Sequence, residues 1–161
     1  DSSDKNDALI CIANILLNES DSLLQKMVEI GLIKKVINLL SSGKDEIRSE
    51  ASYCCFLILR QANFEKLCLI LTVDIVDDFM GNLAAIWSSE LKNVSLNCLL
   101  KLIEKGQIIS LENGVRRESN PILEQIAASQ SYHNIEELFQ HPNLEIAGNA
   151  HKIVDEILAR H

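Results

Sequence analysis

The chain has 161 residues, enough for one domain with a core of its own. Hydrophobic residues make up 47% of it but aromatics only 4%, so the core must come from Leu, Ile, Val and Ala, and two prolines with six glycines favour helices. A formal charge of −8 argues against general nucleic-acid binding, which needs a basic surface to displace counterions; it suits a basic protein ligand and equally serves solubility.

From the N-terminus, residues 6–17 read as a long helix carrying Ala8. A short helix over 22–30 follows, then a compact one over 31–40, where Ile33 and Val36/Ile37 mark one face. A longer helix begins near Asp45, with Ile47 followed four positions on by small Ala51. The same order returns twice. Short helices are expected at 64–71 and 121–128, compact ones at 73–80 and 132–139, and long ones from near Glu90 and Asn143. These long helices carry the pairs Val94/Cys98 and Ile146/Ala150. A small residue recurring at one helical position lets a neighbouring helix come close, so the pairs mark a repeat.

The unit is short helix, compact helix, long helix. Ile47 and Val94 are 47 residues apart and Val94 and Ile146 are 52 apart, against roughly 40–47 for armadillo and HEAT repeats. The excess falls at 106–118, which reads as a longer loop because of its Gly-Gln turn and polar run. The expected fold is therefore all-α, an armadillo-repeat right-handed superhelix of about three and a half repeats. Its parts are a partial repeat at 1–18 and repeats at 19–60, 61–105 and 119–161. The chain opens at Asp1 rather than at methionine and is expected to be part of something longer, with its front end the least stable part.

The repeats resemble the importin-α (karyopherin-α) family, the adaptors of nuclear import. Ala13-Asn14-Ile15 resembles the family's third-helix pattern, and Glu50-Ala51-Ser52-Tyr53 is similar to its Glu-Ala-x-Trp. The segment from Ile135 through His141-Pro142-Asn143 to Ile146, with Ala150 and Ile153, is similar to the family's closing segment. The resemblance places the chain in the C-terminal repeats. It implies a groove in which Trp and Asn side chains hold basic localisation-signal peptides of cargo proteins. Carried over by position, the Trp sites are Ile10, Tyr53, Leu100 and Lys152, and the Asn sites are Asn14, Leu57, Glu104 and Glu156. Asn14 keeps the family residue and Tyr53 is the aromatic substitute, so these two are the candidate cargo groove; Ile10 and Leu57 depart from the pattern. The resemblance further implies contact with a nuclear exporter of the CAS type, here through Glu136, Glu137, His141, Asn143 and Glu145. It implies importin-β binding through an N-terminal arm not in this chain, and residence in cytoplasm and nucleus. The alternative is another armadillo-repeat interaction scaffold, unrelated to nuclear transport.

Other residues have plainer readings. Tyr53 could also pack in the core beside Cys54 and Phe56. Trp87, the sole tryptophan, is expected to pack at a helix end or in the core. Asp74, Asp77 and Asp78 form an acidic helix face, read as solvated. Cys11, Cys54, Cys55, Cys68 and Cys98 show no CxxC spacing and read as small buried thiols. The four histidines lie eight or more residues apart with no cysteine nearby, so no metal site is expected. No nucleophile–base pair or phosphate-cradling loop appears, so neither an enzyme nor a cofactor is expected, and no signal peptide or membrane span is visible.

Overall fold

Helix starts follow local chemistry in the computed structural model, which describes residues 1–18, 20–63, 65–67, 75–114 and 119–160. Ser88 accepts from Leu91 N at 3.0 Å, and Asn143 accepts from Glu145 N at 2.9 Å, each satisfying a donor the helix leaves unpaired. Asn120 does the same for Ile122 and Leu123, with Pro121 in the first turn, where a missing N–H costs nothing.

The helices are α1 (Ser2–Leu16), α2 (Asp21–Glu29), α3 (Leu32–Asn38), α4 (Asp45–Gln61), α5 (Ile75–Asn82), α6 (Ser89–Glu112), α7 (Pro121–Ala128), α8 (His133–Glu137) and α9 (Leu144–Leu158). Short 3-10 turns, Leu39–Ser41 and Leu138–Gln140, continue α3 and α8. Residues 65–67 are also helical, and no strand occurs among the described residues.

The long helices α1, α4, α6 and α9 pack side by side in chain order, and the shorter ones form a layer behind them. This is an all-α solenoid. Two thiols mark its seam: Cys54 Sγ donates to Leu9 O at 3.3 Å and Cys98 Sγ to Ser52 O at 3.1 Å. The rear layer is tied by Ser41 Oγ donating to Asp78 at 2.8 Å and Ser129 Oγ donating to Asp77 at 3.0 Å. Asp77 and Asp78 thus bond across units instead of only facing water. Asp74 lies outside the described residues, as do Cys68, His161 and most of the expected 64–71 helix.

Ile47, Ala51, Ile146 and Ala150 are buried, as the repeat pattern requires. In α6 the small residue Cys98 is buried as expected, but its partner Val94 is not. Leu91 and Ser95 are fully buried, and Cys98 joins them, whereas Val94 is half-buried and faces a surface cleft. In α1 the buried residues are Leu9, Ala13 and Leu16, and Ala8 is exposed. In both helices the buried face is turned from where the apolar pattern put it, which a run of similar apolar residues does not fix.

The loop expected at 106–118 is also revised, since α6 continues as helix to Glu112 and only 113–114 turn before the undescribed 115–118. Gly106 is buried in that helix because α6 meets Asn120 and Ile122 there at close range. It serves close approach, not a turn. Trp87 departs most from expectation: it is 91% exposed in the turn between α5 and α6. No helix among the described residues is long and apolar enough to cross a membrane.

Candidate functional site

A cleft of about 440 Å³ opens where α1, α4 and α6 lie side by side. Its floor is apolar, from Ala13, Val94 and Ile10, and its polar groups are Asn14, Ser49, Glu50, Tyr53 and Glu90. Three helices from successive units each contribute, so the site exists only through the stacking. Helical spacing explains the roll: Ile10 and Asn14 are four apart on α1, and Ser49, Glu50 and Tyr53 share one face of α4.

The structure brings Asn14 and Tyr53 together in this cleft. Asn14 is exposed, and Tyr53 leaves 38% of its surface in solvent, so its ring stands at the cleft and is not a core residue. Ile10, 40% exposed, also lines it. The other positions carried over from the family do not join them. Leu57 is buried, Glu104 pairs with Lys101 at 2.8 Å, and Glu156 pairs with Arg160 at 3.7 Å.

The electrostatics are one-sided. Burial, and then the carboxylates of Glu90 and Glu46, hold the Glu50 carboxyl above its usual range. Glu46 accepts from Asn6 Nδ2 at 3.3 Å, but among the described residues no cation pairs with Glu50 or Glu90. The cleft therefore offers carboxylates with no cation partner among the described residues, an aromatic face, an exposed amide and a nearly buried hydroxyl. This combination suits a cation on an aliphatic stem, with the amide free to pair with a peptide group. Glu50 and Glu90 were not singled out from sequence. Their signal was their place within the first two turns of consecutive long helices.

The residues near the last turn occupy a separate surface. Asn143 caps α9, and His141 Nδ1 accepts from Asn143 N at 3.0 Å, so both shape the turn between α8 and α9. Glu136, Glu137 and Glu145 are exposed around it, while Ile135, Leu138, Ile146 and Ala150 are buried. Among the described residues, no group of three His, Cys, Asp or Glu is placed to hold a metal ion.

No sequence-family model matches the chain, and no curated protein matches it significantly. Solved structures do. An engineered protein is similar over 99% of this chain and 76% of its own, at 14% identity and a TM-score of 0.63. Another engineered protein is similar over 98% of this chain and 45% of its own, at 18% identity and a TM-score of 0.59. A designed armadillo repeat protein, solved in complex with the peptide (KR)4, is similar over 94% of this chain and 74% of its own, at 19% identity and a TM-score of 0.53. The shared feature is the armadillo-type all-α solenoid.

Proposed function

We propose that this chain is a protein-interaction scaffold that holds an extended, basic peptide across α1, α4 and α6. The observation that carries this reading is the pair of carboxylates, Glu50 and Glu90, with no cation partner among the described residues, beside the exposed Tyr53 ring and the Asn14 amide in one cleft. A Lys or Arg stem lies along the Tyr53 ring, its head meets Glu50 and Glu90, and Asn14 pairs with the peptide backbone. The likeness to a designed armadillo protein solved with a Lys-Arg peptide supports the same class of ligand. Ile10 and Leu57 offer neither a ring nor an amide, so binding is expected to be weak and to fall as salt rises. The test is fluorescence anisotropy with a labelled Lys/Arg peptide. Glu50→Gln with Glu90→Gln should weaken binding about tenfold, in line with the usual worth of charge-assisted hydrogen bonds. Equal binding of an acidic peptide of the same length would overturn the reading.

The finer reading is a nuclear-import adaptor, working between cytoplasm and nucleus. The importin-α resemblance of Glu50–Tyr53 and of the last repeat supports it. In that reading the peptide is a cargo localisation signal, importin-β binds through an arm outside this chain, and a nuclear exporter meets the surface around His141 and Asn143. Changing Glu136, Glu137 and Glu145 together to Lys should then abolish exporter pull-down and leave the melting temperature nearly unchanged. Undiminished pull-down with the folded variant would reject this contact.

A further inference from the structure

Ile86 and Trp87 leave 79% and 91% of their surface in solvent, although the buried residues Ala85 and Leu91 on either side anchor the turn. Neither side chain holds the fold together. Leu144, 84% exposed, opens α9, the helix packed beside α6, so large apolar groups sit at the same edge of two consecutive units. The corresponding turn before α4 is Ser42-Gly43-Lys44, so an apolar turn is not a requirement of the repeat.

Trp87 lies three residues before Glu90, one of the two carboxylates lining the cleft. Three residues of backbone span at most about 11 Å, so a ligand held at Glu90 passes within reach of the indole. Glu90 fixes the charge of that ligand, while Ile86 and Trp87 offer the next residues along it only apolar surface. We infer that the Ile86–Trp87 turn is an outer subsite of the cleft, taking an aromatic or branched aliphatic side chain about two or three residues from the ligand's Lys or Arg. The inference rests on the peptide-binding reading above. It adds a sequence requirement to it: the preferred partner is basic with an adjacent apolar residue, not uniformly basic.

Trp87 is the only tryptophan, so its own emission reports on this turn. Peptides of equal charge are compared, with Phe or with Ser placed two and three residues to either side of an Arg-Lys pair. The Phe peptide is expected to bind about tenfold more tightly and to shift the emission to the blue, as burial of one aromatic anchor commonly does. Trp87→Ala should erase the difference and leave Ser-peptide affinity within about twofold, because an exposed turn residue contributes little to folding. If both peptides bind equally and the emission stays put, the subsite is wrong and the basic-peptide cleft stands. If neither peptide binds, both readings fall.

Discussion

Gly106 and Asn120 meet so closely that a Cβ on Gly106 would lie 2.6 Å from Asn120 Oδ1, and 2.7 Å from Ile122 Cγ1. Replacing a mid-helix glycine by alanine ordinarily gains about 1 kcal/mol. Here the methyl has to displace the side chain that caps α7, and overpacking of this kind costs about 1–3 kcal/mol. Gly106→Ala should therefore lower stability in urea unfolding. Gly148→Ala, in α9 with nothing within 4 Å of the new methyl, should raise it by up to about 1 kcal/mol. The opposite signs of two chemically identical substitutions are the prediction.

Asn120 is buried and uses both ends of its amide, accepting from Ile122 N at 3.0 Å and donating to Ile103 O at 2.9 Å. Asn120→Ala should cost about 1–3 kcal/mol, combining a lost cap with a lost buried hydrogen bond. Asn134 makes the equivalent tie in the last unit, donating to Met80 O at 3.1 Å. Asn134→Ala should cost less, about 1 kcal/mol, because no cap goes with it. Equal losses would show that the cap at Asn120 contributes nothing.

Glu50 gives the cleft a pH dependence of definite sign. Its carboxyl is raised in the folded chain, so the folded state holds this proton more tightly than the unfolded state. The stability it contributes is complete below the ordinary carboxylate value and is lost as pH rises through the raised one. Glu50→Gln should then be more stable than the parent at neutral pH, with the advantage vanishing in acid. Ligand binding runs the other way: a basic peptide needs the ionised form, so its affinity should rise with pH over the same window. Chemical denaturation and anisotropy at matched pH values check both slopes.

The cysteines should divide sharply in labelling. Burial pushes the Cys54 thiol up to about 12 and raises Cys55 and Cys98 as well, while Cys11 is exposed on α1. Among these four, a maleimide should modify Cys11 within minutes at neutral pH and reach the others only after unfolding. Mass spectrometry of the peptides reads this directly.

The repeat was legible because Ile47/Ala51 and Ile146/Ala150 keep one spacing in helices with clear starts, and both pairs are buried where that spacing puts them. Asn14 and Tyr53 were legible only through resemblance; the stacking that puts them in one cleft comes from contacts more than 30 residues apart in the chain. Gly106 was misread because a glycine that permits a turn and one that permits contact look alike until the partner, Asn120, is placed. Val94 was misread because Leu91, Val94 and Ser95 all suit a buried face, and the cap at Ser88 is not visible in the apolar pattern. Trp87 was misread because hydrophobicity favours burial, and only the geometry of the turn leaves it outside.

Because the cleft is walled on one side by α1, whose main partner is α4, occupancy and order are coupled there. In a solenoid each helix is steadied chiefly by its neighbours, so separating α1 from α4 opens the cleft without unfolding the later units. A ligand bridging Asn14 on α1 and Glu90 on α6 works as a clasp: each departure of α1 must first release it. Bound peptide should slow amide exchange in α1 more than in α9, and loosening α1 should speed ligand release even where no contact residue has changed.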